Sequence, residues 1–277
     1  MPIEPNFDPV APTVETSAEI AEGLAAELAV AERTRVPIEP ISARLPDFAV
    51  ADAYEVQTIN LRRRIGGGAS RVGHKIGLTN KRMQEQLGVN EPDFGFLLDD
   101  MQVPDGHALA LGAFIAARIE PEICFLIDRD LVGPGVTRSE VMQATSALAP
   151  ALEVIDSRIA DWRIKLVDTV ADNASSARVV VGPWTDVAND DFDVVGAEGW
   201  IERDGNVVAT GHGADVFGDP AAAIAWLVNK LAEYGGGIRS GEIVIPGALT
   251  ASLPLDSGTR FTSTIDGLGS VSVGIVS

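Results

Sequence analysis

Hydrophobic and polar residues alternate one by one through RIEPEICFLI, residues 118–127. Arg118, Glu120, Glu122 and Cys124 fall on one parity, and Ile119, Ile123, Phe125 and Ile127 on the other. A period of two predicts a β-strand with two unlike faces. Elsewhere the period lengthens. Ile20, Leu24 and Leu28 recur every four residues behind Thr16, whose capping-box partner is Glu19, so a helix is expected to open there. A second helix is predicted from Val50 to Ile65, stopped by Gly66, Gly67 and Gly68. Between the two, RVPIEPISARLPDF has three prolines and no usable period, and reads as a wrapped connection. Thr137 with Glu140 forms a further capping box. The clearest helix lies in GDPAAAIAWLVNKLAEYGGG (218–237), with Asp219 as cap, Pro220 in the first turn and Gly235 beyond the end.

From residue 70 onward the chain breaks into short apolar runs split by Gly, Pro and Asp. VGHKIGL (72–78) and PALEVIDS (150–157) predict strands, TNKRMQEQLG (79–88) a short helix, and Asp204-Gly205 a hairpin turn. GEIVIPG, TRFTSTI and GSVSVGIV predict closing strands. Strands outnumber helices without alternating regularly with them. The fold class expected is therefore α+β with a largely antiparallel or mixed sheet, not a doubly wound parallel one.

Composition narrows the partners. The 277 residues suffice for one large domain or two modest ones, and 46% hydrophobic residues can bury a real core. A formal charge of −19 repels phosphate backbones and anionic lipid, which disfavours nucleic-acid or membrane-surface binding. An anionic substrate would need a locally positive site. Cys124 is the single cysteine, which excludes an internal disulfide and a cysteine-rich zinc site. The N-terminal MPIEPNFDPVAPT is acidic with four prolines, unlike a signal peptide, and no apolar run reaches the ~20 residues of a membrane span. A soluble, cytoplasmic protein is expected.

The familiar cofactor motifs are missing: no GxGxxG after a strand, no GxxxxGK[ST], no HExxH, and no GxSxG elbow. GGGAS and YGGGIR follow helices and read as helix stops. His74, His107 and His212 are isolated, each beside a glycine. Carboxylates remain. Glu120 and Glu122 stand on one strand face, and Glu153 is the only charge in APALEVI, where burial is costly unless it is paired or bound to metal. Together they offer three hard oxygen ligands on one side of a cation, which suits Mg²⁺ or Mn²⁺ and leaves positions for a chelating substrate and a water. Spacing alone favours a solvated polar face with Glu153 paired to Arg158, because alternating strands with one wet face are common. Lys75 in GHKIGL can be an exposed strand lysine, EPDFG a turn, and DTVADNASS (168–176) a loop held by Asx-type hydrogen bonds.

The stretches GHKIGLTNKRMQEQLGVNEPDFGFLLDDM, RIEPEICFLIDRDL, PALEVIDSRIADWRIKLVDTVADNAS and GLGSVSV occur in order. Together they resemble the 2-keto-4-pentenoate (2-hydroxypenta-2,4-dienoate) hydratases of the fumarylacetoacetate hydrolase superfamily, which also holds the 4-oxalocrotonate decarboxylases. The resemblance spans roughly residues 36–277. It implies a mixed β-roll with an N-terminal helical subdomain, divided as an acidic proline-rich tail (1–13), a helical part (14–72) and a β-rich catalytic part (73–277). It also implies a divalent metal, Mg²⁺ or Mn²⁺, on Glu120, Glu122 and Glu153, catalytic roles for Lys75 and Asp93, and substrate contacts from Ser175, Gly247 and Leu97. This favours the metal over the solvated face. Pro121 between the glutamates and Pro246 before Gly247 depart from the usual pattern; Pro121 lacks a donor and suits an edge or bulge.

The implied reaction adds water to 2-hydroxypenta-2,4-dienoate, a small anionic substrate, giving 4-hydroxy-2-oxopentanoate in aromatic meta-cleavage catabolism. The rivals are decarboxylation of 2-oxo-3-hexenedioate, hydration of a longer dioate, and a non-catalytic metal-stabilised protein. The family further implies a homo-oligomer and admits association with other enzymes of the pathway.

Overall fold

The computed structural model of the chain describes residues 17–80, 84, 85, 89, 91–187 and 192–277. The four-residue apolar stripe forms helix α1 (Ser17–Thr34), which buries Leu24 and Leu28 and packs Ile20 at the core margin. Its expected cap, Thr16, lies outside the described residues. The proline-rich connection is not wholly irregular. It carries a one-turn helix α2 (Ile41–Arg44) directly after Pro40, with Ile41 fully buried. Tertiary contact stabilises this turn: the Asp168 carboxylate accepts from the Ser42 backbone N–H at 3.0 Å and its hydroxyl at 2.6 Å. Helix α3 (Val50–Gly66) ends at the glycines, where the Gly67 N–H caps the carbonyls of Arg63 and Arg64.

Helix α4 (Arg138–Gln143) has the Thr137–Glu140 capping box satisfied in both directions. A short helix α5 (Leu166–Ala171) precedes the ADNAS turn. Helix α6 (Pro220–Glu233) is capped by Asp219, whose carboxylate accepts from the Ala221 N–H. The short helix expected over 79–88 is seen only at Gln84 and Glu85, because 81–83 and 86–88 lie outside the described residues. No helix among the described residues is long and apolar enough to cross a membrane.

Two curled mixed sheets carry the rest. The larger contains β1 (Arg71–Gly77), β2 (Asp93–Leu98), β3 (Gln102–Val103), β5 (Arg118–Ile127), β6 (Thr145–Ile155), β7 (Ser176–Val181) and β11 (Ile243–Ile245), in the order β2-β1-β11-β5-β6-β7-β3. β12 (Leu253–Pro254) adds to β5 and β8 (Thr185–Asp186) to β6. The smaller runs β10-β9-β13-β14-β4, from β4 (Ala108–Ala110), β9 (Glu198–Arg203), β10 (Asn206–His212), β13 (Arg260–Ile265) and β14 (Gly269–Val276). β9 and β10 are joined at Asp204-Gly205, both at positive φ as a tight hairpin needs.

Alternation along the strands decides what each face meets. On β5, Ile123, Phe125 and Ile127 join the core beneath the helices, while Ile119 joins Leu152 and Val154 of β6 against Phe261, Val271 and Val273 of the smaller sheet. The opposite parity faces inside the curl. There Cys124, Ala149, Ala151, Val179, Ile243, Ile245 and Leu97 belong to a third buried cluster. That inner face holds the charged residues.

Candidate active site and metal centre

The register of two long neighbouring strands builds the site. β5 and β6 pair antiparallel without a slip from Arg118 to Leu126, which sets Glu120 directly opposite Glu153 and Glu122 one pleat further along the same face. One carboxylate oxygen from each of the three lies within 4.8 Å of the others. At that separation and an effective dielectric near 20, each ionised pair repels by about 3.5 kcal/mol. Like charges directly opposite in a sheet are destabilising, so the arrangement works against the apo fold. Glu122 and Glu153 are buried and Glu120 is half-buried. Burial first, and the neighbouring Glu153 second, push the Glu120 carboxyl up to about 7 and hold Glu122 well above the usual carboxylate range. Burial also raises Glu153, opposed by Lys75 and the Ser176 hydroxyl.

Protein partners satisfy these oxygens only in part. Glu122 Oε2 accepts the Gly247 N–H at 2.8 Å, and Glu153 Oε2 stands 3.4 Å from Lys75 Nζ. Glu122 Oε1 and Glu153 Oε1 have no hydrogen-bond partner. An all-oxygen acidic set with two buried, incompletely satisfied carboxylates fits a hard divalent cation. The alternative of Glu153 paired to Arg158 is overturned. Arg158 lies beyond the end of β6 at Ile155, and its guanidinium binds the Asp172 carboxylate and carbonyl.

Lys75 comes from β1, in register with Gly95 of β2, and is buried rather than exposed. Burial alone would favour the neutral amine, but Glu153, Asp93, Glu120 and Glu122 outweigh it and move its pKa upward. Lys75 is therefore an ammonium, donating to the Ala174 carbonyl at 2.8 Å. Asp93 begins β2 opposite Gly77; its Oδ2 accepts from the Thr169 hydroxyl at 2.9 Å, while Oδ1 is buried without a partner. Burial raises the Asp93 carboxyl and Lys75 draws it back.

The remaining expected residues lie around this group. Ser175 is buried, at positive φ, with an unpartnered hydroxyl beside the carbonyl that holds Lys75. Gly247 approaches so closely that an added Cβ would lie 2.3 Å from Thr79 Oγ1, and its φ of 135° suits glycine alone. Leu97 is fully buried in the inner apolar cluster, on the same parity of β2 as Asp93. Pro121 explains itself: its carbonyl accepts from Leu249 N–H, so its missing donor faces the 246–252 segment between β11 and β12 and not the ladder with β6. The histidines stand apart. His74 occupies the opposite face of β1 against Phe96, and His107 and His212 are exposed.

Sequence reasoning missed the supports. Thr169, Asn173, Ser176 and the Arg158–Asp172 pair all touch the site or its loop. All but Arg158 lie within DTVADNASS, whose polar residues signalled local turn bonds. Asn173 instead reaches across to the backbone of Phe96.

The sequence profile described as "Fumarylacetoacetate (FAA) hydrolase C-terminal" matches residues 68–276. The chain belongs to the fumarylacetoacetate hydrolase family. Among its relatives in that family, a 2-keto-4-pentenoate hydratase of Paraburkholderia xenovorans is 43% identical over 250 residues, 90% of this chain and 93% of that one. A 2-hydroxyhexa-2,4-dienoate hydratase of Comamonas testosteroni is 42% identical over 244 residues, covering 87% and 92%. The 4-oxalocrotonate decarboxylase of Pseudomonas putida G7, solved with magnesium and adipate, superposes with a TM-score of 0.91 at 35% identity, covering 95% of this chain and 99% of that one. The mixed β-roll expected from the family motifs is the fold observed.

Proposed function

We propose that this chain is a metal-dependent hydro-lyase that hydrates 2-hydroxypenta-2,4-dienoate to 4-hydroxy-2-oxopentanoate in aromatic meta-cleavage catabolism. The observation that carries the reading is a cluster of three carboxylates, the buried Glu122 and Glu153 with unsatisfied oxygens and Glu120 beside them, that faces a buried ammonium. The hydratase names of relatives at 42–43% identity support it. Glu120, Glu122 and Glu153 would hold Mg²⁺ or Mn²⁺, and the magnesium in the decarboxylase structure supports that choice. Such an ion supplies Lewis-acid stabilisation for negative charge on the substrate's carboxylate and 2-oxygen.

This chain's residues do the rest. Lys75 Nζ offsets the surplus negative charge of the carboxylates and an anionic substrate, and presents a proton where the dienolate is protonated. Asp93 Oδ1, held in place through Thr169, is the second atom at which a proton is held or released. The free Ser175 hydroxyl offers a donor to substrate oxygen, Gly247 orients Glu122 through its N–H, and Leu97 with the small inner residues excludes bulk water. In this reading residues 14–72 are a helical part, whose helices from Ser17 onward pack on the outside of the curl, and residues 73–277 carry the site. A homo-oligomer, association with other pathway enzymes and a cytoplasmic location belong to the same proposal.

A second reading, decarboxylation of 2-oxo-3-hexenedioate, is favoured by the 0.91 TM-score to the decarboxylase. A second substrate carboxylate would need its own cation. Arg118 shares the Glu120 face of β5, with its guanidinium fixed by the Ser252 hydroxyl at 2.7 Å. Product analysis with both substrates decides. Hydration of the monocarboxylic dienoate with little CO₂ release is expected; dominant CO₂ release with the dienoate left intact would replace the hydratase by the decarboxylase.

A further inference from the structure

The turn that meets Lys75 is built in an unusual way. Asn173, Ala174 and Ser175 are consecutive non-glycine residues with φ of 54°, 49° and 56°. Left-handed backbone is unfavourable for residues carrying a Cβ, and such a run persists only where its surroundings over-determine it. Its two ends are tied by one side chain: Arg158 binds Asp172, and its Nη1 donates to the Ser176 carbonyl at 3.2 Å. The middle is tied by Asn173. Its Oδ1 accepts the Phe96 N–H at 2.8 Å and its Nδ2 donates to the Phe96 carbonyl at 3.0 Å.

β2 is the end strand of the larger sheet, so these Phe96 groups face away from β1. The Asn173 carboxamide therefore does what a neighbouring strand's peptide would do, and both of its functions are used. Turning the amide over would set donor against donor. The approach is close enough that a Cβ on Gly95 would lie 2.4 Å from the Asn173 carbonyl oxygen. The next carbonyl, Ala174, is the one that receives Lys75 Nζ at 2.8 Å.

We propose that Asn173 is a positioning residue: by clamping the turn to the open edge of β2 it fixes the Ala174 carbonyl, and through it the direction in which the Lys75 ammonium points. Without the clamp, Lys75 keeps only its 3.4 Å approach to Glu153, which draws the ammonium toward the carboxylates and away from the substrate. The inference rests on the catalytic role proposed above for Lys75.

The test is a double-mutant cycle on the metal-loaded enzyme. Asn173→Gly keeps the left-handed backbone and removes the clamp. It is expected to lower kcat by about 10- to 100-fold, the scale of a misplaced catalytic group, with KM and Mn²⁺ affinity nearly unchanged. In a Lys75→Met background the same change should cost less than about threefold. Multiplying effects would overturn the proposal, as would a loss confined to KM. Asn173→Asp keeps the acceptor for the Phe96 N–H and should fall between wild type and Asn173→Gly. Gly95→Ala pushes the turn from the other side and should give the same kcat signature without adding to Asn173→Gly. The crystal structure of Asn173→Gly supplies a readout independent of turnover. Lys75 Nζ displaced from the Ala174 carbonyl supports the proposal, and an unmoved contact overturns it. Absence of turnover with either substrate in the wild type would instead remove the functional reading.

Discussion

At the scale of single residues, the proposed roles separate metal binding from substrate chemistry. Glu120, Glu122 and Glu153 crowd like charges, and the protein satisfies Glu122 and Glu153 only in part. Glu122→Gln and Glu153→Gln are therefore expected to weaken Mn²⁺ binding by at least ~10-fold in calorimetric titration while leaving a folded apo protein, because each removes a repulsive charge along with a ligand. Unchanged affinity in both would return the glutamates to a purely structural role. Lys75 should behave the other way. Lys75→Met keeps much of the apolar stem, so metal affinity should survive while turnover falls by at least ~10²-fold, the low end for a positioned acid–base group. Near-normal turnover in that variant would exclude Lys75 from the chemistry.

At the scale of elements, the ladder between β5 and β6 does most of the positioning, and the 246–252 segment completes it. Gly247 satisfies three demands together: φ of 135°, contact with Thr79, and an N–H on Glu122. Gly247→Ala is expected to destabilise the fold by about 1–3 kcal/mol and to weaken metal binding as Glu122 is released. Thr79→Ala removes the nearest clashing atoms but not the strained φ, so the pair should recover only part of the loss. A thermal melt together with Mn²⁺ titration of both variants checks this; a neutral Gly247→Ala would show that the segment adjusts freely. Capping signals at Thr137 and Asp219 worked as read because a cap is local, closed within three residues. Helix α2 escaped notice because its stabilisation comes from Asp168, far along the chain.

At the scale of the whole molecule, His74 couples stability to acid. It is fully buried on the outer face of β1; neither ring nitrogen has a hydrogen-bond partner, and Glu242 Oε2 is 3.9 Å away. Burial, and then Arg71, hold its pKa down to about 3 against 6.5 when unfolded. Between these values the unfolded chain binds a proton that the native chain refuses. Its contribution is fully present above about 6.5 and is lost as pH falls toward about 3, by up to ~1.4 kcal/mol per pH unit. The raised carboxylates act with the opposite sign, so the difference between wild type and His74→Leu isolates the effect. Urea unfolding at pH 8 and pH 5 should show the wild type losing more stability than the variant; parallel losses would mean that His74 titrates normally in the folded protein.

Periods and caps were legible in the residues themselves: the two-faced strand at 118–127, the helices at 50–66 and 220–233, and the hairpin at Asp204-Gly205. Each of these is encoded within a few neighbouring positions, where alternation, caps and turn residues act directly on the backbone. The family's ordered motifs pointed to three glutamates and Lys75, which the fold brings together. Tertiary structure alone decided that Glu120 stands opposite Glu153, that Arg158 goes to Asp172, and that Asn173 bonds Phe96. Those facts depend on strand register and on the curl that brings β2 beside the 173–175 turn. A one-residue slip of β6 would have turned Glu153 to the other face. Local pattern specifies which face of a strand is polar; only packing against the rest of the chain specifies what that face meets.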